Sequence, residues 1–315
     1  MPPAPDTMVC LDALKQACRH VIRFLGTSQG MLRIALSEGQ FHTGDDPIVA
    51  DLDTQVEFVN SLEQHPAYPL LRIWGVVGEE NIVAPLDEYE PGTRVIVVDP
   101  LDGSTTWAMA RQAYCVAAMS MMANSAGKLE LECATIATPV HLFTYVHPGE
   151  LRFGPTISSD PLKGGPYDYL LQTAVPETAV RHRSLALNGY KSRDRRMVLE
   201  LMRQLRDWDI VTMAGNPFTP YVIIGNLTAA LNTRAQCTWD ALGILMCTST
   251  DVVVGDATGT LVSGSAFQLM FNKVAVNGNV KLIPPMIVAK NMEAYKALAR
   301  VTEDVIRVIG FPDFE

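Results

Sequence analysis

Hydrophobic positions along this chain follow helical spacing in some segments and strand-like spacing in others. Apolar residues at helical spacing over 11–25, and again over 52–62, predict two amphipathic helices. The β-branched run at 95–98 predicts a short buried strand. Further apolar segments, separated by turn residues, predict strands over 73–77, 113–122, 129–140 and 142–146. The first half of the chain is therefore expected to place helices on an antiparallel or mixed sheet.

The second half of the chain also mixes helical and strand-like patterns, and a segment of different composition separates it from the first half. Residues 154–167 are rich in glycine, proline and serine, which is typical of a domain junction. We therefore expect one domain over 1–153 and another over 154–315. Strands are predicted over 169–174, 184–187, 252–254 and 281–290, and helices near 192–205, over 220–231, after 240 and from 291 onward. The predicted fold class is α+β.

Composition excludes several classes of protein. The chain has 315 residues, of which 48% are hydrophobic and 19% charged, and this length is ample for a large core. The net charge of −9 argues against general binding to nucleic acid or to a membrane surface. No apolar run reaches the roughly 20 residues of a membrane span, and the start has no basic-then-apolar leader, so we expect a cytoplasmic protein. The six cysteines are scattered without a CxxC pair, which predicts neither a zinc site nor a disulfide framework.

The stretch VIVVDPLDGSTTW, residues 95–107, carries the densest chemistry in the chain. Because Pro100 has no N–H to donate, we expect the strand to end at Asp99. Asp99 and Asp102 would then leave a rigid strand together, as carboxylates that suit Mg²⁺. Gly103 permits a tight turn, and Ser104 can begin a helix whose free N–H groups face an anion. The alternative is an ordinary Asp-Pro and Asp-Gly turn that binds nothing.

Other acidic residues occupy similar places. Glu79 and Glu80 follow the predicted strand over 73–77, and for Glu80 we favour a simple position at the rim of the sheet. Asp53 lies near the start of the second helix, and Asp240 follows Trp239 where another helix begins. Acidic residues at helix N-termini are ordinary caps, so a structural role is the alternative for both.

Three motifs together resemble those of a known superfamily. The GEE of 78–80, the DPLDGS of 99–104 and the WD of 239–240 are similar, in order and separation, to those of the metal-dependent, lithium-sensitive phosphatases, which include inositol monophosphatase, fructose 1,6-bisphosphatase and the bisphosphate nucleotidases. The longer DGSTTW resembles the inositol monophosphatase branch. This resemblance implies a layered αβαβα sandwich of the sugar-phosphatase type, commonly a homodimer.

The resemblance also implies a site. Its nucleophile would be a metal-activated water that attacks phosphorus in line. Ser104 would orient this water, Asp53 would pair with the Ser104 hydroxyl, and Glu79 would complete the catalytic set. The Gly103 and Ser104 amides would contact the phosphate. Two or three Mg²⁺ ions would be held by Glu79, Asp99, the Leu101 carbonyl, Asp102 and Asp240.

Departures from the superfamily pattern concern the substrate. The glutamate expected to bind inositol is replaced by Thr233, which argues against myo-inositol phosphate itself. The small-residue segment that contacts substrate reads Gly215, Asn216 and Pro217. The residues implied to bind substrate are therefore Gly103, Ser104, Asn216, Thr233 and Asp240.

The sequence thus predicts a Mg²⁺-dependent phosphomonoesterase for a small phosphorylated polyol, sugar or nucleoside. Two alternatives remain open at this point. A nucleotide 3′-phosphatase or sugar bisphosphatase would use the basic cluster at 191–196 for a second phosphate. A non-catalytic homologue would bind a ligand without turnover.

Overall fold

The computed structural model describes residues 5–27, 49–78, 88–104, 107, 114–156, 169–170, 183–188, 195–213, 216, 218–274 and 283–309. The chain divides into two compact units, residues 1–170 with 272–279 and residues 171–271 with 280–315. The predicted junction over 154–167 lies mostly outside the described residues, so the domain boundary at 153/154 stays a prediction. None of the described helices is both long and apolar enough to cross a membrane.

In the described part of the first unit, two α-helices lie beside a seven-stranded sheet. The sheet order is β1 to β7, with β1 parallel to β2 and every other neighbouring pair antiparallel. One core joins α1 to the sheet, and it contains Leu14, Val21, Ile96 and Val98. The predicted helices and the predicted meander of strands are confirmed. The elements are α1 (Pro5–Leu25), α2 (Val49–Glu63), a 3₁₀ turn (Tyr68–Leu70), β1 (Ile73–Gly78), β2 (Arg94–Asp102), β3 (Cys115–Ala123), β4 (Leu129–Ala137), β5 (His141–Val146), β6 (Glu150–Pro155) and β7 (Tyr169–Leu170).

The face that α2 buries differs from the predicted one. Its apolar spacing placed Leu52 and Val56 in the core, yet these side chains are 49% and 57% exposed. The buried positions include Ala50, Thr54 and Phe58. Thr54 is accommodated because its hydroxyl donates to the Ala50 carbonyl at 2.7 Å, which satisfies a polar group inside the helix.

Strand β2 does not end at Asp99, so that prediction is wrong. The strand continues to Asp102, and its pairing shifts from Asp99 opposite Ala117 to Asp102 opposite Cys115. The chain therefore advances three residues along β2 but only two along β3 between these pairs, which is a β-bulge. Pro100 lies inside this bulge, where a missing N–H removes no regular ladder bond.

The second unit is built on a five-stranded sheet of order β11, β12, β10, β8, β9. Strands β8, β9 and β10 run parallel, whereas β12 is antiparallel to both β10 and β11. Both units therefore combine helices with a sheet, which confirms the α+β class. The elements are β8 (Arg183–Asn188), α3 (Arg195–Gln204), β9 (Trp208–Met213), α4 (Phe218–Ile223), β10 (Ala229–Asn232), α5 (Leu242–Cys247), β11 (Val253–Asp256), α6 (Gly264–Val274), β12 (Met286–Ala289) and α7 (Met292–Ile309).

The predicted apolar helix over 220–231 is wrong in its second half. Helix α4 ends at Ile223, Gly225 takes a left-handed φ of 77°, and the chain enters β10 at Ala229. A fully buried strand and a buried helix have the same continuous apolar pattern, so sequence alone did not separate them. The predicted cap of α7 is confirmed, because the Asn291 Oδ1 accepts the Ala294 N–H at 2.9 Å.

Candidate active site

The end of β2 brings two carboxylates together inside the first unit. Asp99 and Asp102 are 3% and 6% exposed, and an oxygen of one lies within 4.8 Å of an oxygen of the other. Both belong to the end of β2, where Asp99 pairs with Ala117 and Asp102 with Cys115 of β3, beyond the last described pairing with β1 at Val98. Buried carboxylates this close are unusual and mark a candidate site for a cation.

The bulge itself is stabilised by one of these carboxylates. The Leu101 N–H donates to the Asp99 Oδ1 at 3.1 Å. This contact closes a turn over Pro100 and restrains the Asp99 side chain. Leu101, whose carbonyl was predicted to bind metal, is 3% exposed at the centre of the bulge.

A turn and a helical segment follow directly. Gly103 adopts a φ of +90°, which only glycine takes without strain. The Trp107 N–H then donates to the Gly103 carbonyl at 2.9 Å, the bond of one helical turn, and Ser104 lies in its first position. Trp107 is buried and packs edge-on against Tyr114 at 6.4 Å. The predicted helix start at Ser104 is therefore present and anchored by an aromatic pair.

A thiol that the sequence interpretation passed over lies against these carboxylates. The Cys115 Sγ is 3.8 Å from the Asp102 Oδ2 and is oriented to donate. Burial raises the pKa of the Cys115 thiol well above its usual range, and the charges of Asp102 and Asp99 raise it further. Cys115 is therefore a neutral thiol. The β2–β3 pairing brings it here, and no short sequence motif would have indicated it.

Of the residues implied by the GEE motif and by α2, the structure describes Gly78 and Asp53. Asp53 is a half-buried residue of α2, while Glu79 and Glu80 lie outside the described residues. Gly78, the last residue of β1, is covered by the Gln55 amide, whose Oε1 would be 2.4 Å from a Cβ at this position. The glycine of the motif therefore makes room for a buried side chain of α2.

In the second unit, Asp240 lies in a tight turn that leads into α5. Trp239 before it and Ala241 after it are fully buried, whereas Asp240 is only half-buried. The Asn216 side chain bridges this turn. Its Nδ2 donates to the Trp239 carbonyl, and its Oδ1 accepts the Gly243 N–H at 2.7 Å. Asn216 was predicted to contact substrate, and that role stays a prediction.

Thr233 follows the carboxyl end of β10. It is 2% exposed, and its hydroxyl donates to the Asn188 carbonyl at 2.5 Å. Beside it, the Asn188 Nδ2 donates to Asn232 at 2.9 Å, and the Asn232 Nδ2 donates to Gln236 at 2.7 Å. Thr233, at the position where the resemblance implies a glutamate, is thus a neutral and hydrogen-bonded side chain.

Comparison with known proteins gives a structural match only. No protein-family model and no curated protein matches the chain. Among solved structures, the IMPase of Thermotoga maritima superposes with a TM-score of 0.62 at 16% identity, over 94% of this chain and 98% of that one. The extragenic suppressor protein suhB of Bartonella henselae gives 0.61 at 19% identity over 93% and 98%. CysQ of Bacteroides thetaiotaomicron, described as a bacterial member of the inositol monophosphatase family, gives 0.55 at 15% over 89% and 97%. The chain therefore has the fold of the inositol monophosphatases.

Proposed function

We propose that this protein is a Mg²⁺-dependent phosphomonoesterase acting on a small phosphorylated metabolite. The observation that carries the proposal is the buried pair of Asp99 and Asp102 at the bulged end of β2, followed at once by the Gly103 turn and Ser104. Two further observations support the proposal. The three motifs resemble those of the lithium-sensitive phosphatases, and the chain has the fold of the inositol monophosphatases.

The chemistry of the donor set fits a hard divalent cation. Carboxylate and carbonyl oxygens are the ligands that Mg²⁺ prefers. Two buried carboxylates within 4.8 Å repel one another unless a proton or a cation lies between them. Within this proposal, the ions would be held by Asp99, Asp102, Glu79, the Leu101 carbonyl and Asp240. A bound Mg²⁺ would neutralise charge on the phosphate and lower the pKa of a water molecule.

The other residues bind and orient. The Ser104 hydroxyl would position the attacking water, and it would donate its own hydrogen bond to the Asp53 carboxylate. The Gly103 and Ser104 N–H groups, at the start of a helical turn, donate to phosphate oxygens. Gly103 serves this role because its backbone can approach the phosphate without a side chain intervening.

The proposed substrate is a phosphorylated polyol, sugar or nucleoside other than myo-inositol phosphate. Thr233 offers a hydroxyl where a glutamate would accept several substrate hydroxyl groups, and this hydroxyl already donates to Asn188. The substrate's hydroxyl groups would therefore be bound more weakly here, by an uncharged group instead of a carboxylate.

A panel of phosphorylated polyols, sugars and nucleotides tests the proposal. Phosphate release is measured with Mg²⁺, with a chelator, and with Mg²⁺ plus Li⁺. We expect release that requires Mg²⁺ and is blocked by Li⁺, with the best substrate defining the Thr233 pocket. Release that persists in the chelator would refute the metal mechanism, and the same panel with bisphosphates detects a nucleotide 3′-phosphatase.

Two further properties are proposed on the resemblance alone. We propose a homodimer in the cytoplasm, with a small metabolite and neither nucleic acid nor membrane as its partner. Light scattering after size exclusion tests the dimer, and a mass of one 34.5 kDa chain would contradict it.

A further inference from the structure

We infer that Asn216 and Gln236 are positioning residues, which hold the peptide groups on both sides of Asp240 and so aim its carboxylate. This inference rests on the proposed function, in which Asp240 binds metal. Neither residue is itself assigned to the metal.

Asn216 supplies the stronger of the two contacts. It is 1% exposed, and both ends of its amide are engaged with the backbone around Asp240. Its Nδ2 donates to the Trp239 carbonyl, which belongs to the peptide group before Asp240. Its Oδ1 accepts the Gly243 N–H at 2.7 Å.

The second of these bonds replaces a missing helix cap. Ala241 is the N-cap residue of α5 and has no side chain able to accept a hydrogen bond. The Gly243 N–H at the second helical position would otherwise be an unsatisfied buried donor. Asn216 caps the helix from a distant segment, which ties the turn at Asp240 to the start of α4.

The close approach of these segments depends on Gly243. A Cβ there would lie 2.1 Å from the Thr219 Oγ1 and 2.6 Å from the Asn216 carbonyl oxygen. The Thr219 hydroxyl in turn donates to that carbonyl at 3.2 Å. The position of Asn216 is therefore fixed by packing as well as by its own bonds.

Gln236 engages the peptide group on the other side. Its Nε2 lies 3.4 Å from the Asp240 carbonyl oxygen, a long hydrogen bond. Its Oε1 accepts the Asn232 Nδ2 at 2.7 Å, so the amide cannot rotate freely. Gln236 is 3% exposed, and its backbone pairs with Ile283 through bonds of 2.8 and 3.2 Å.

The consequence is geometric. With the carbonyls of Trp239 and Asp240 both held, the φ and ψ angles of Asp240 are restrained, and its Cβ leaves the backbone in one direction. Groups that orient a metal ligand without touching the metal typically change metal affinity by about 10-fold to 100-fold when removed. The shorter bonds of Asn216 give it the larger expected effect.

The test is the affinity for Mn²⁺ alone, measured by the loss of the free-ion EPR signal, together with metal-free thermal unfolding. We expect Asn216→Ala to weaken Mn²⁺ binding by about tenfold or more, and Gln236→Leu by less. Asn216→Ser retains an acceptor for Gly243 and loses only the donor to Trp239, which keeps the test available if the alanine variant does not fold. Tyr295→Phe is the matched control. It removes another hydrogen bond of the second unit, from the Tyr295 hydroxyl to the Asp256 carbonyl at 3.3 Å, and should leave Mn²⁺ affinity unchanged.

Asp240→Asn distinguishes a failure of the positioning inference from a failure of the proposed function. If Asp240→Asn weakens Mn²⁺ binding while the Asn216 and Gln236 variants bind as the parent does, the positioning inference is overturned and the proposed function stands. If Asp240→Asn binds Mn²⁺ as tightly as the parent, the metal assignment of Asp240 fails first. A lower unfolding temperature with unchanged affinity would reduce Asn216 to a structural role.

Discussion

The two ends of strand β2 have opposite arrangements of buried charge: an ion pair at one end and two neighbouring carboxylates at the other. At its start, Arg94 and Glu132 form a two-pronged ion pair at 2.8 and 2.7 Å, with both side chains nearly inaccessible. Ser120 and Thr7 add hydroxyl donors to the same carboxylate at 2.8 and 2.9 Å. At its end, Asp99 and Asp102 place two like charges within 4.8 Å.

The difference separates a buried carboxylate that is neutralised by an arginine from a pair of carboxylates that is proposed to bind metal. Every strong acceptor site of Glu132 is used by the protein, so this cluster joins α1, β2, β3 and β4 and needs no ligand. Arg94 also holds the pKa of Asp6 below its usual range through a hydrogen bond, which extends the cluster to the first turn of α1. The Asp99 and Asp102 pair instead brings two buried carboxylates close together, which is the pattern expected of the proposed cation site.

The largest expected effect is on turnover at the functional end. Asp102→Asn removes one ligand charge and should lower phosphate release by about 10³-fold, because several kcal/mol of transition-state stabilisation depend on the metal. The metal-free variant should be at least as stable as the parent, since the like-charge repulsion is gone. Assays of phosphate release and thermal unfolding with chelator measure both.

The matched control is Asp12→Asn, which alters a carboxylate that is 69% exposed on α1. It should change neither turnover nor stability measurably. Full activity in Asp102→Asn would remove Asp102 from the metal site.

The next effect is on stability at the structural end. Arg94→Met leaves Glu132 buried without its cation and should cost about 3–5 kcal/mol in the free energy of unfolding. Adding Glu132→Met should recover most of this loss, because an apolar pair replaces the ionic one. Urea unfolding of both variants measures the difference, and a single-variant loss under about 1 kcal/mol would mean that the pair is not a structural element.

A smaller effect on turnover is expected at Ser104. Removing the hydroxyl in Ser104→Ala should lower the rate by about 10²-fold if it positions the attacking water. Ser104→Thr retains the hydroxyl and serves as the control, with a rate close to that of the parent. An equal loss in both variants would point to packing rather than to the hydroxyl.

The smallest effect concerns a charge contact on the surface. His20 and Glu57 join α1 to α2 at 2.8 Å, but their side chains are 45% and 33% exposed. His20→Ala should therefore cost less than about 1 kcal/mol, since water competes for such contacts. If His20→Ala lowered the free energy of unfolding as much as Arg94→Met does, the exposure of a charged pair would not predict its contribution to stability.

Much of the candidate site was predictable because it is local in sequence. Asp99, Leu101, Asp102, Gly103 and Ser104 are nearly consecutive, and a β-branched run before them indicates a buried strand. Strand pairing decided what followed, since Cys115 reaches Asp102 only through the β2–β3 register. The Asn216 contact with the Trp239 turn spans 23 residues, and no spacing rule connects two such segments.

The sequence by itself determined the features that depend on neighbouring residues: the first and last helices, the Asn291 cap, the meander of strands and the carboxylates after Val98. Local sterics and short hydrogen bonds are enough to specify these. Only the tertiary structure decided that Pro100 lies in a bulge, that α2 buries Thr54 and exposes Val56, and that Ala229 begins a strand. Each of these depends on which distant surface covers the segment, because burial is a property of the partner as much as of the residue.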